Sequence, residues 1–235
     1  MKSIIKWIGG NELATWSALA LIGLGLWGFV ELADEVLDGD THAFDRLVLI
    51  ALRNPADLND PLGPFWMEEI VRDFSAMGGV GLISFFSLTW IGFLALQRKF
   101  RAALFLAATV LGGVGLSLIM KAGFDRPRPE FVSHGTEVFT SAFPSGHSML
   151  AAIVYLSLGV VLARLFSGLP VKAYVMLVAV ILTALVGFSR VYLGVHWPTD
   201  VVGGWLAGSV WALLLWFVVR ALQRRRTIEN DAPEP

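Results

Sequence analysis

Six stretches of this chain contain no Asp, Glu, Lys or Arg: residues 13–30, 74–97, 102–120, 138–163, 173–189 and 201–219. A helix crossing a bilayer needs about 20 apolar residues, within a range of roughly 17–25, and the windows meet that requirement. In the fourth, residues 139–146 read as loop, and the helix is expected to start near His147. Six such stretches in 235 residues leave too little polar sequence to shield them from water. The composition agrees: 16% of residues are charged, against roughly 25% in a soluble domain, and mean hydropathy is +0.68. These values exclude an ordinary soluble globule and a disordered chain. The expected fold is all-α, a polytopic membrane protein of six transmembrane helices. Cysteine is absent, which excludes disulfides, zinc-thiolate sites and a thiol nucleophile. A net charge of −1 gives no nucleic-acid footprint.

The first window follows Lys2 and Lys6, as in a signal peptide, but its apolar part is long and no small-x-small cleavage site follows. It reads as a retained first span. With the N-terminus placed in the cytoplasm and sides alternated, eleven basic residues fall inside and seven outside. That is the asymmetry of the positive-inside rule. The termini are then cytoplasmic, and the loops after spans one, three and five face outward, which in a bacterial inner membrane is the periplasmic or extracellular side. The first outer loop, 31–73, holds eleven acidic residues and three arginines around apolar stretches at 44–52 and 65–71. It is expected to form amphipathic helices on the membrane surface, with turns at Asn54-Pro55 and Asp60-Pro61. Residues 1–222 read as one six-helix domain, and the Pro- and acid-rich tail 223–235 as cytoplasmic and disordered.

Three polar clusters stand at the outer ends of spans three to six. Lys121 precedes Arg128-Pro129; Pro144-Ser145-Gly146-His147 opens the fourth span; Ser189-Arg190, His196 and Asp200 bridge the fifth and sixth. Lys121, Arg128 and Arg190 provide one ammonium and two planar forks, suited to gripping phosphate oxygens. Ser145 and Gly146 sit at a helix N-terminus, where unpaired N–H groups and the helix dipole favour an anion. His196 is a candidate nucleophile if Asp200 holds its other ring nitrogen, and His147 is then free to protonate a leaving oxygen. The set amounts to a phosphoryl-transfer site that calls for no metal and no cofactor. EDTA is expected to leave such activity intact.

Each group also has an ordinary structural reading. Cations at helix ends snorkel to head groups, as expected for Lys99, Arg101 and Arg224 to Arg226. His42 and His134 read as structural. Asp200 serves equally as a helix-capping carboxylate and Ser145 as an N-cap. Pro127, Pro129, Pro144 and Pro198 mark helix boundaries. None of these readings explains why the groups gather on one side.

The three clusters, K-x6-R-P, P-S-G-H and S-R-x5-H-x3-D, resemble the three-part signature of the type 2 phosphatidic acid phosphatases. Eleven positions match in order and spacing, each at odds of about one in twenty by composition. The resemblance implies that His196 attacks phosphorus to form a phosphohistidine, with Asp200 orienting it and His147 acting as general acid. It implies that Lys121, Arg128, Ser145, Gly146 and Arg190 hold the phosphate. Arg126 is an extra charge beside the clamp with Asp125 as its expected partner, and neither is given a catalytic role.

The function expected is that of a membrane lipid phosphatase or diphosphatase. Candidate substrates are phosphatidic acid, phosphatidylglycerol phosphate and undecaprenyl diphosphate, with the lipid tail left in the bilayer. Phosphotransfer from a lipid carrier to an acceptor such as lipid A would use the same residues. Vanadium haloperoxidases share the clamp but are soluble. A transporter or scaffold would bring its polar groups to mid-bilayer, whereas here they lie at one face. Oligomeric state stays open, because the glycine-rich stretch 203–208 can pack against a helix of this chain or of another.

Overall fold

A computed structural model of the chain describes residues 2–130 and 140–230, with side chains described for 15–130 and 140–221. His134, the opening of the fourth window and residues 231–235 lie outside what is described, while the backbone of 223–230, expected as a disordered tail, continues the last helix.

The described residues are mostly helical: α1 (Lys2–Asp38), α2 (His42–Ala51), α3 (Phe65–Ala76), α4 (Val80–Leu96), α5 (Phe100–Gly123), α6 (Gly146–Ala151), α7 (Ser157–Leu165), α8 (Leu169–Tyr192) and α9 (Pro198–Asn230). A π-helical turn at Ala152–Leu156 joins α6 to α7. Five stretches are long and apolar enough to cross a membrane: Thr15–Asp38, Phe100–Gly123, Gly146–Ala163, Leu169–Tyr192 and Pro198–Ala221. A sixth exists if the bent pair α3–α4, with 52° between its halves, counts as one span.

The second span therefore departs from expectation. The apolar window at 74–97 predicts one straight helix. The observed helix starts nine residues earlier, at Phe65, and breaks at residues 77–79. Gly78 and Gly79 make the break compact: a Cβ on Gly78 would lie 2.4 Å from Val186 Cγ1 and 3.2 Å from the His147 carbonyl oxygen. The Tyr155 hydroxyl, from the π-helical turn, donates to Met77 O at 2.7 Å and closes the corner.

The outer loop also differs from a plain run of surface helices. Residues 31–38 continue α1. The apolar stretches become α2 and α3, and between them lies a two-stranded antiparallel hairpin, β1 (Arg53–Asn54) and β2 (Asp57–Pro61). Asn54-Pro55 forms its turn, as expected, with Asn54 Oδ1 accepting from Ala56 N at 3.0 Å. Asp60-Pro61 lies in β2 and makes no turn. Arg53 is buried and donates from Nη2 to Tyr192 O at 2.5 Å and Val191 O at 3.4 Å, capping the carbonyl end of α8. Burial pushes its pKa down. The Tyr192 hydroxyl donates to Leu62 O at 2.9 Å. The hairpin is thus fastened to the end of α8 that leads into the loop carrying His196.

The central helices meet through glycine. A Cβ on Gly204 would fall 2.6 Å from Ser145 O, and one on Gly208 would fall 2.5 Å from Met149 O. The glycine-rich stretch of α9 therefore packs within the chain, against α6. Around this seam Met149, Leu150, Ile153, Val154, Val186 and Ala207 form the main buried cluster. Close backbone approach of this kind drives helix association where no water is present to expel.

Gly208→Val is expected to lower stability by about 1–3 kcal/mol, as overpacking does. Gly115→Ala, where nothing lies within 4 Å of the added carbon, is expected to be neutral or slightly stabilising. Thermal unfolding of the two variants in one detergent checks the pair.

Candidate active site

His196 sits in the short loop between α8 and α9 and is 2% exposed. Its Nδ1 lies 3.3 Å from Asp200 Oδ2, and its Nε2 lies 3.1 Å from Arg128 Nη1. A guanidinium only donates, so Nε2 must accept and carry the ring's lone pair, which leaves the proton on Nδ1 facing Asp200. The geometry selects one tautomer of the neutral ring. Burial first, then the charges of Arg128, Arg190 and Lys121, holds the His196 pKa well below the ordinary histidine range. Arg128 itself is pushed down by burial, an effect opposed by Asp200.

Asp200 is fully buried. Its Oδ2 also accepts from Trp197 N at 2.9 Å, the reach-back bond of a helix capping box. One carboxylate oxygen therefore makes both the capping bond and the contact to His196. The Asp200 carbonyl oxygen in turn accepts from Ser145 N at 2.9 Å, joining the start of α6 to the start of α9. Ser145 stands at the N-cap position of α6 without making a side-chain cap bond; its Oγ accepts from the Ser148 hydroxyl at 3.0 Å. The simple N-cap reading of Ser145 thus has no bond behind it.

Lys121 reaches over the same helix start. A Cβ on Gly146 would lie 3.1 Å from Lys121 Cε and 3.8 Å from Nζ, so any larger residue there would press on the lysine. Lys121 Nζ donates to Ser141 O at 3.2 Å. Arg190 Nη1 donates to Ser75 Oγ at 2.5 Å, and Arg128 Nη1 to Val195 O at 3.1 Å. Among the described residues, the buried Nε atoms of Arg128 and Arg190 have no partner. An unpaired buried guanidinium donor is costly, and an anion between these arginines would satisfy both. His147 closes the ring, with its Nε2 3.8 Å from the Cβ position of Gly79 and within electrostatic reach of Arg190, His196, Lys121 and Arg128. All eight residues singled out from the sequence converge here.

Arg126 overturns its expected pairing. Asp125 is exposed, while Arg126 is buried and divides its fork between two other carboxylates. Nη1 donates to Asp200 Oδ1 at 2.5 Å and Thr199 Oγ1 at 2.8 Å; Nη2 donates to Asp45 Oδ2 at 2.6 Å and Thr41 Oγ1 at 3.0 Å. Asp45 also accepts from the Thr199 backbone N–H at 3.0 Å and hydroxyl at 2.7 Å. Trp197 lies under the guanidinium with its ring centroid 5.9 Å away. The sequence holds one clue to this network: Asp45 is the acid inside the apolar stretch 44–52, and α2 turns it inward.

The family model described as the PAP2 superfamily matches residues 82–224. Phosphatidylglycerophosphatase B of Bacillus subtilis (strain 168) is 34% identical over 173 residues, covering 68% of this chain and 77% of that protein. An undecaprenyl-diphosphatase of Sulfolobus acidocaldarius is 41% identical over 68 residues, 29% of each chain. The crystal structure of a transmembrane PAP2 type phosphatidylglycerolphosphate phosphatase from Bacillus subtilis superposes with a TM-score of 0.69 at 26% identity, covering 87% of this chain and 96% of that one. The family match over residues 82–224 and the shared helical membrane framework show that the chain belongs to the PAP2 superfamily and is an integral-membrane phosphoric ester hydrolase.

Proposed function

We propose that this protein dephosphorylates a lipid at the membrane surface through a phosphohistidine formed on His196, with phosphatidylglycerol phosphate as the substrate class the reading favours. The observation that carries the chemistry is the fixed His196 tautomer. Its Nε2 lone pair faces the arginine clamp, and its Nδ1 proton faces Asp200. In the first half-reaction Nε2 bonds to phosphorus, the bond from phosphorus to the leaving oxygen breaks, and His147 donates a proton to that oxygen. In the second, water attacks phosphorus while His147 takes its proton, and the P–N bond breaks to release inorganic phosphate. Asp200 stabilises the charge that develops on the His196 ring. Lys121, Arg128, Arg190, the Ser145 hydroxyl and the Gly146 backbone N–H bind the phosphoryl oxygens, whose charge is greatest in the transition state.

The substrate class rests on the relative matched over most of its length, whose name specifies a phosphatidylglycerophosphatase. An apolar rim supports a lipid substrate: Phe44 and Leu47 on α2, and Phe65, Trp66 and Ile70 on α3, are exposed on elements adjoining the site. Such residues suit an interfacial depth at which the lipid tail stays in the bilayer while its phosphate enters the clamp. We place the site on the outer, periplasmic face of a bacterial inner membrane, from the asymmetry of basic residues between loops. The alternative, phosphotransfer, differs only in which hydroxyl meets the phosphohistidine.

His196→Ala is expected to lower phosphate release by about 10⁴-fold or more. Purified protein in detergent with EDTA, given phosphatidylglycerol phosphate, phosphatidic acid and undecaprenyl diphosphate in parallel, checks both the chemistry and the substrate. No release from any of the three by folded protein would favour phosphotransfer.

The pH dependence follows from the depressed His196 pKa. The neutral ring is the nucleophile, so lowering its pKa keeps it competent as pH falls, and activity is lost only on passing below the shifted value. The acid limb of kcat/KM is expected clearly below pH 6.5, the ordinary histidine value. Arg128→Gln, by removing a neighbouring charge, should move that limb upward. A limb at or above 6.5 in the unaltered enzyme would reassign the nucleophile.

Arg126 and Asp45 are positioning residues in this scheme, acting through Asp200. Asp45→Asn, which keeps the shape of the side chain, is expected to lower kcat by about 10- to 100-fold with little change in KM. Steady-state kinetics in mixed micelles give the split, and an equal loss in kcat/KM carried by KM alone would place Asp45 in substrate binding instead.

A further inference from the structure

The end of the bundle away from His196 carries a second gathering of cations. Arg98 and Lys99 in the turn before α5, Arg101 in its first turn and Arg164 near the end of α7 rim a cavity of about 500 Å³, walled in part by Phe105 and Trp216. Arg101 and Lys121 are twenty residues apart on α5, about 30 Å at 1.5 Å per residue. The cavity and the phosphatase site therefore lie on opposite sides of the hydrocarbon layer. None of these four cations has an acidic partner among the described residues.

The cavity does not end at head-group depth. A second, of about 470 Å³, shares Phe105, Val160 and Trp216 with it and continues between α1, α7, α8 and α9 past Leu21, Met176 and Leu213 to Ser209. From Val219, at the basic end, to Ser209 is ten residues of α9, about 15 Å, or half of a hydrocarbon core about 30 Å thick. The combined space has the depth of one leaflet, a cationic mouth and an apolar floor.

Arg98 adds a conformational observation. It has φ of 56°, the left-handed region. Its N–H bonds Ala95 O at 2.9 Å and the Lys99 N–H bonds Leu94 O at 2.8 Å, which is the Schellman closure of α4. Glycine fills that position without strain. The helix end instead holds an arginine there, at the mouth of the cavity.

Snorkelling cations accompany the lipid-facing sides of helices wherever they end. Here cations contributed by two helices and the turn between α4 and α5 ring one opening whose apolar floor is a leaflet deep. Basic pockets between spanning helices at this depth select anionic head groups. We propose that the two cavities form one site for an anionic phospholipid of the leaflet opposite the active site. Its phosphate is held by Arg98, Lys99, Arg101 and Arg164, and an acyl chain lies along Phe105, Val160 and Trp216. The site is independent of the phosphatase chemistry and stands whether or not the substrate reading does.

The test is lipid retention by the full chain. Protein equilibrated with equal amounts of dioleoyl phosphatidylglycerol and dioleoyl phosphatidylcholine is stripped in detergent and weighed by native mass spectrometry. The expected result is one retained phosphatidylglycerol per chain, preferred over phosphatidylcholine by about tenfold or more. Arg98→Gly should abolish most of that preference while its thermal midpoint stays at or above the unaltered value, since glycine relieves the helix end. Val160→Trp, which keeps every charge, should displace the lipid by filling the shared wall. Arg128→Gln, at the active site, should leave retention unchanged. Equal retention of the two lipids overturns the proposal, as does a preference that survives both Arg98→Gly and Val160→Trp. A preference lost in Arg128→Gln but kept in Arg98→Gly overturns it by putting the lipid in the active site. Retention seen only after removal of residues 223–235 overturns it by assigning the basic mouth to the chain's own acidic tail.

Discussion

A single buried guanidinium, that of Arg126, is the interaction on which the working end of this molecule depends. It is shared between Asp45 and Asp200, both fully buried, at 2.6 and 2.5 Å. It sets one positive charge between two buried carboxyl groups, and removing one member of such a set costs about 3–5 kcal/mol. The arginine also leaves Asp200 Oδ2 free for His196 by occupying Oδ1. The chain thus separates two uses of positive charge. Arg126 spends both terminal nitrogens on the two carboxylates, whereas Arg128 and Arg190 meet none in an ion pair among the described residues.

Irregularity in the helices is what lets the remaining parts converge. The corner at residues 77–79 opens space for His147, and the π-helical turn at Ala152–Leu156 supplies the tyrosine that fixes that corner. π-turns inside α-helices recur at functional sites. Glycines at 204 and 208 then draw α9 against α6, near enough for the Ser145–Asp200 backbone bond to form. Without the close approach at Gly204, the helix start at Gly146 and the imidazole of His196 would stand in separate parts of the bundle.

Much of this was legible in the sequence, because short-range spacing carries it. Uncharged windows define the spans, and the motifs name eight polar or glycine residues that gather around His196. What escaped is long-range or sub-window. Asp45 lies 81 residues from Arg126, in a segment whose composition reads only as acidic and amphipathic, whereas Asp125 is adjacent and so attracts the pairing. A hydropathy window averages across Gly78-Gly79 and reports one straight helix where there are two. The hairpin at 53–61 is held by Arg53 on the end of α8, a tertiary contact with no local signature. Asp60-Pro61 has turn composition, yet β1 captures it as a strand partner.

The Arg126 network has a consequence for biogenesis. Its members come from residues 41–45, 126 and 199–200, so the ion pairs close only after the last span has joined the first. Contacts of such sequence separation form late, since the loop entropy must be met before they contribute. A chain emerging from the ribosome gathers its helices one after another, but Asp200 is not braced by Arg126 and Asp45 until α9 arrives against α2. On the proposed chemistry, hydrolytic competence is therefore a property of the finished topology: a partially inserted protein, or one with a span reversed, would stay inert toward the lipids around it.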